Sequence, residues 1–297
     1  MDKNNYSLQM KKMNLKKELI IGIGVGIILT TIFLAFQLNN QTVNAGVGMT
    51  IPEIAQDASL PKIPLTVESS LDNIVSLMLN SHTQWQTIEA NAVTTFNDAS
   101  WEMNIQLEQY GKGRGDYGPA GLEPEFSWIS DGTTLWKINL IDKAFEEYVL
   151  PDDVKSLESF GPTSLPTDAA ESFIIRYPLD GVFPSQLSSF FFPHGLAQFF
   201  SQQQVDVLGS DRIAGRDAVI VELQVFDHEG KLVKKHKYWI DTSTGIILQS
   251  QIYTEATGWD KWSEQTTVTE IVYDNRFSED AFEFLPAPDW HNVYSDN

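Results

Sequence analysis

Three regimes of hydrophobic and polar spacing follow one another along the chain. Leu19 to Phe36 is an uncharged apolar run of 18 residues, preceded by Lys3, Lys11, Lys12, Lys16 and Lys17. As a helix it would be about 27 Å long, close to the roughly 30 Å hydrocarbon core of a bilayer. From Val67 to Asn80 apolar residues fall at 67, 71, 74, 75 and 78, the stripe of an amphipathic helix with Thr66 as its N-cap. From Trp101 the period becomes two. Trp101, Met103, Ile105 and Leu107 alternate with Glu102, Asn104, Gln106 and Glu108, the pattern of a half-buried antiparallel strand.

Gly111 to Gly118 reads next as a glycine-rich turn. Strands are expected at Glu125–Ser130, Thr133–Leu140 and Ala144–Leu150, the first two joined at Asp131-Gly132. Residues 151–204 break the pattern with six prolines and the cluster Phe190, Phe191, Phe192, Phe199 and Phe200. Short helices are expected there, from Thr167 and from Ser185. Alternation returns at Val219–Phe226, and Lys231–Ile240, Ile246–Tyr253 and Lys261–Tyr273 complete a meander. The spacing predicts one continuous antiparallel sheet, curved or barrel-like.

The basic amino-terminal end sets the orientation of the apolar run: lysines in the cytoplasm, the remainder outside. Two fates stay open, a retained single-pass anchor or a signal peptide cleaved near Ala45. The length of the run favours the anchor. The expected organisation is therefore a basic tail with anchor or signal at 1–45, a linker with Pro52, Pro61 and Pro64 at 46–66, and a folded domain at 67–297.

Charge and composition narrow the function by exclusion. The 297 residues hold 20 basic and 40 acidic side chains, net −20. Five lysines and two acids leave with residues 1–45, so the rest carries 15 basic and 38 acidic residues, or −23. Phosphate neutralisation needs a basic footprint, so nucleic acid is not an expected partner. The absence of cysteine excludes thiol nucleophiles, zinc–thiolate sites, iron–sulfur clusters, disulfides and acylation at a cysteine.

Motifs for chemistry are sparse. Gly113-Arg114-Gly115-Asp116-Tyr117-Gly118 matches G-x-G-x-x-G, but prolines follow where the phosphate-binding mechanism needs a helix. The Arg114-Gly115-Asp116 tripeptide inside it is a three-residue coincidence. His82, His194, His228, His236 and His291 are scattered, with no second histidine at helical ligand spacing. Asp152-Asp153 and Asp227/Glu229 sit at turns, where acids cap backbone amides. The expectation is a protein that binds rather than catalyses, without metal or cofactor. Lys231, Lys234, Lys235, His236 and Lys237 are unusual in so acidic a chain. They mark a solvent face or protect a strand edge, or else accept anionic head groups or an acidic partner. The aromatic cluster is either ordinary core or a lid over an apolar cavity.

Four phrases carry a resemblance. Ser130-Asp131-Gly132-Thr133-Thr134-Leu135-Trp136 resembles a "DGxxLW" hairpin, and Ala214-Gly215-Arg216-Asp217 running to Glu222-Leu223 a "GR(D)xxxxEL" strand. Tyr238-Trp239-Ile240-Asp241 with Thr244-Gly245 is similar to a "WID..TG" hairpin, and Phe282-Glu283-Phe284-x-Pro286 to the closing segment. In this order, over about residues 67–286, they resemble the LolA-like family of periplasmic lipoprotein carriers and its RseB/MucB-type relatives, sensors of envelope stress. The resemblance implies a mainly β fold, an open half-barrel of about eleven strands around a few helices that close an apolar cavity for acyl chains. Trp101, Met103, Ile105, Leu107, Trp128, Trp136, Phe183, Phe190, Phe191, Phe192, Phe199 and Phe200 are then the expected cavity and lid residues. The implied partner is a lipid or an acylated protein; the sensor alternative adds docking on a membrane protein. In the carriers an arginine on an early strand latches the lid, and Trp101–Tyr110 contains none.

Overall fold

The computed structural model describes residues 64–96, 99–109, 111–150, 185–200 and 203–293. All lie within Glu53–Asn297, one compact unit; a second unit, Met1–Pro52, lies outside the described residues. The expected anchor at 19–36, the linker up to residue 63, the helix from Thr167 and Phe183 lie outside them as well. Among the described residues no helix is long and apolar enough to cross a membrane.

Two antiparallel meanders share one sheet. The first is β1 (Thr87–Phe96), β2 (Ala99–Glu108), β3 (Lys112–Pro119), β4 (Phe126–Asp131), β5 (Thr134–Asn139) and β6 (Ala144–Val149). The second is β7 (Gln204–Ile213), β8 (Arg216–Phe226), β9 (Leu232–Asp241), β10 (Ile247–Thr254) and β11 (Glu264–Tyr273). The first strand of one meander pairs with the last of the other, β1 against β11, so the order is β12-β6-β5-β4-β3-β2-β1-β11-β10-β9-β8-β7. β12 (His291–Asn292) is a two-residue strand laid parallel along β6. Among the described residues the result is the expected open, curved sheet, with twelve strands counting the two-residue β12.

One face of this sheet holds the main core. Strand alternation points Ile88, Ala90 and Ala92 of β1, Met103, Ile105 and Leu107 of β2, and Val219, Val221 and Leu223 of β8 to that side, all buried. The helix α1 (Leu71–Leu79) packs there with Ile74, Val75, Leu77, Met78 and Leu79. It begins later than its apolar stripe suggests. Ser70, not Thr66, caps it, its Oγ accepting from the Asn73 amide, while Thr66 belongs to the turn before.

The expected turn at Gly111–Gly118 is a strand. β3 runs through it in full register with β2 and β4. Glycine depletion in strands is a statistical preference, and here a neighbour overrides it. Gly113 and Gly115 face the core, where the Trp128 indole of β4 lies against their backbone; a Cβ on Gly113 would stand 2.9 Å from its Cη2. β1 and β7 carry weaker alternation and are found only through their partners. The lysine-rich β9 is an interior strand between β8 and β10, not an edge.

The opposite face carries a smaller cluster. Ile129, Ile138 and Phe145 are buried beneath Trp136, Phe284 and Trp290. Phe284 lies 5.3 Å from the Phe145 ring and 5.7 Å from Trp290, so the closing Phe-Glu-Phe phrase straps the first meander from outside. Asp227 caps its turn as expected, its Oδ1 accepting from the Glu229 and Lys231 amides, and in the Asp131-Gly132 hairpin Asp131 Oδ1 does the same for the Thr133 and Thr134 amides.

Candidate functional site

The hollow of the sheet is covered by two short helices, α2 (Ser185–Phe191) and α3 (His194–Phe200). Leu187, Phe190 and Phe191 of α2 and Ala197 and Phe200 of α3 are buried against the core face. Phe192 and Phe199 are half-buried and pack on the same cluster, Phe192 with its ring 5.9 Å from Trp85. The floor beneath is built of small and flat groups: Ala90 and Ala92 of β1, and the Trp128 ring seated on Gly113 and Gly115.

Of the residues expected to form this surface, Met103, Ile105, Leu107, Trp128, Phe190, Phe191 and Phe200 are brought together in one buried cluster, with Phe192 and Phe199 at its margin. Trp101 is half-buried farther along the same face, beside Tyr117, with ring centres 6.5 Å apart. Trp136 is not part of the group. It points to the other face, because the DGxxLW hairpin places Leu135 inward and its neighbour outward.

Two of the scattered histidines meet in the hollow. His82 follows α1 in a single helical turn (Ser81–Thr83), and His194 opens α3. His82 Nδ1 and His194 Nε2 are 3.1 Å apart, so the pair ties the helix of the amino-terminal half to the aromatic cover. Burial, followed by the neighbouring His82, pulls His194 down to about 3; burial also lowers His82. Both rings are neutral at pH 7. Residues 112 positions apart give no spacing signal, so sequence reasoning had no means of joining them.

The hollow is graded from apolar to polar. Across β8, β9, β10, β11 and β1 one cross-strand row reads Val221, Tyr238, Ser250, Thr266 and Thr94. Thr94 and Thr266 hydrogen-bond at 2.9 Å in the interior. The next row outward reads Leu223, His236, Ile252, Glu264 and Phe96. The Tyr238 hydroxyl lies 3.1 Å from His236 Nδ1, and its ring is 5.7 Å from that of Phe200 at the end of α3. Burial, then repulsion by Lys234, lowers His236 to about 3, and burial raises Glu264 and Tyr238. The period-two spacing of 234, 236 and 238 was the available signal for this group. Lys235 and Lys237 point the other way, over the Tyr253 ring at 5.6 and 5.2 Å.

Two of the motif phrases join in a single ion pair. Arg216, at the start of β8, donates through Nε and Nη2 to Asp241 at the end of β9. The Asp241 carboxylate is enclosed and also accepts from the Ser243 and Thr244 amides, while the guanidinium lies 4.5 Å over the Tyr273 ring. Gly245 completes this turn at φ +74, where a Cβ would meet the Leu77 carbonyl of α1 at 2.6 Å. The pair therefore sets the hairpin on which α1 rests.

The outer face bears an open polar cleft of about 580 Å³, with Glu89, Asn104, Gln106, Arg114 and Arg276 among its walls. Arg114 is paired there with Asp116 at 3.1 Å, so the tripeptide is a strand segment rather than an exposed loop tip. Among the described residues no three metal-ligating side chains converge.

Several solved structures are similar. The MucA/MucB complex of Pseudomonas aeruginosa matches at 16% identity over 72% of this chain and 61% of that one, with TM-score 0.40. The Mycobacterium tuberculosis lipoprotein LppX matches at 11% identity over 70% and 97%, with TM-score 0.39. A LolA superfamily protein from Nitrosomonas europaea matches at 11% identity over 73% and 98%, with TM-score 0.27. The chain spans between 61% and 64% of the length of the MucB chains it matches. No curated protein matches it. Residues 166–285, which take in both covering helices and the whole second meander, match the family model described as the MucB/RseB N-terminal domain.

Proposed function

We propose that the domain is a non-enzymatic, extracytoplasmic binder of acyl chains, from a lipid or a lipoprotein, held on the hollow face of the sheet beneath the 183–200 segment. One observation carries this reading. The sheet's apolar floor is covered by two helices of seven residues each, whose main grip on it is Leu187, Phe190, Phe191 and Phe200. Helices that short hold their form only through packing. Displacing them exposes a continuous apolar surface, and a chain of methylenes can take the place of their rings at about 0.8 kcal/mol per CH₂. Leu19–Phe36, retained as an anchor or cleaved near Ala45, would place the domain on the outer side of the membrane. Native mass spectrometry of the gently purified protein, with titration of a fluorescent fatty acid, tests the reading. Bound lipid and saturable fluorescence gain are expected; consistent absence of both overturns it.

The family match over residues 166–285 favours a second reading, an RseB-like regulatory module that docks on the extracytoplasmic segment of a membrane protein. Capture of one single-span protein in stoichiometric amount, from membranes of the native cell, distinguishes it from a carrier.

A further inference from the structure

At the polar end of the hollow only the Tyr238 ring is described against the covering helices, through Phe200, and a purely apolar ligand would leave the polar groups there unused. Lys234, His236, Tyr238 and Glu264 stand on the same face as the apolar floor, at the end where α3 stops with Phe200 on the Tyr238 ring. His236 still touches solvent although burial governs its titration, as in a ring forming the wall of a recess. Phe96, 41% exposed, continues the row beyond Glu264. The charges in this recess are unequal in kind. His236 is neutral at pH 7, burial raises Glu264, and Lys234, acting on both as a cation, opposes that rise. Among the described residues no carboxylate lies within ion-pair distance of Lys234, and its neighbours on the strand, Lys235 and Lys237, face away.

A half-buried cation beside the Tyr238 hydroxyl attracts an oxyanion more strongly than the same groups in water would. We propose that this recess is the head-group subsite for an amphiphile whose anionic oxygens, carboxylate or phosphate, are held by Lys234 with the Tyr238 hydroxyl, while its chain runs along the floor beneath α2 and α3. The assignment rests on the acyl-binding reading above. It fixes the orientation of the ligand and makes the site selective for an acid over a neutral lipid of equal length.

The full-length protein is loaded with cis-parinaric acid, and the probe is displaced by palmitic acid, palmitoyl lysophosphatidate or hexadecanol. At least one of the two anionic competitors is expected to displace it about tenfold better than the alcohol. Which one does so separates carboxylate from phosphate as the source of the oxyanion. Lys234→Gln should remove that preference while leaving hexadecanol unchanged. Lys234→Arg should keep it, and Lys235→Gln on the opposite face should not affect it. An equal response to acids and alcohol in the unaltered protein, or a preference that survives in Lys234→Gln, overturns the subsite while leaving the acyl-binding reading intact. Failure of the probe and of all three competitors to bind overturns both.

Discussion

Trp128 lies flat against the backbone at Gly115: a Cβ added there would fall 2.6 Å from Cε2 of the indole. The two residues face each other directly across β3 and β4, so the strand has given up a side chain to seat the largest ring of the floor. Gly113 extends the same bed.

Gly115→Ala is therefore expected to push Trp128 out of place and lower stability by about 1–3 kcal/mol, the usual range for overpacking. Gly195→Ala on α3, where nothing lies within 4 Å, should be neutral or stabilising by up to about 1 kcal/mol. Urea melts of both variants, followed by tryptophan emission, check the contrast. Equal effects would mean that the indole has room to move.

Asp241→Ala removes one partner of an ion pair whose carboxylate is 1% exposed, leaving Arg216 facing an enclosed site. The expected loss is about 3 kcal/mol, since breaking a buried pair strands the other charge. Because the same carboxylate accepts the Ser243 and Thr244 amides, hydrogen exchange should accelerate first in residues 241–245. Unchanged exchange there would show that the turn holds without its acid.

Acid should weaken the fold through its histidines. His194 has a folded pKa of about 3 against 6.5 unfolded, so the unfolded chain binds more protons between these values. Stability is then full above about pH 6.5 and falls as pH drops, by about 2 kcal/mol from this one group at pH 5. His82 and His236 shift in the same direction and steepen the loss. Melts from pH 7.5 to 5 should show it, and His194→Gln should flatten the curve. A pH-independent midpoint would mean that the pair opens to solvent.

Phe191 is fully buried and Phe192 half-buried, although they are neighbours at the end of the cover. Phe191→Ala should cost about 3–5 kcal/mol as a core substitution, and Phe192→Ala distinctly less. If the cover admits acyl chains, the Phe192 change should still weaken a fatty-acid probe. Loss of stability without any effect on the probe would make both rings plain core.

Local spacing along the chain already carries most of the architecture's materials. Strand spacing between turn signals marked β2, β4, β5, β6, β8, β9, β10 and β11, since a sheet with one buried face writes its alternation into the chain. Prolines and the Phe190–Phe200 cluster marked the interruption, and the Asp131 and Asp227 turns followed from local hydrogen bonding. Spacing could not reveal what depends on a partner far along the chain. β3 is a strand because Trp128 fills the space its glycines leave, and β1 joins the two meanders because β11, some 170 residues later, pairs with it. Trp136 turns outward through the register of its hairpin, and His82 finds His194 only when α3 folds onto α1. Lys234 and Lys235 are adjacent in sequence, yet strand geometry sends one into the hollow and the other to the outer face. Local periodicity is a property of neighbours in the chain; sharing a face, a recess or a proton is a property of neighbours in space, and only tertiary packing sets those.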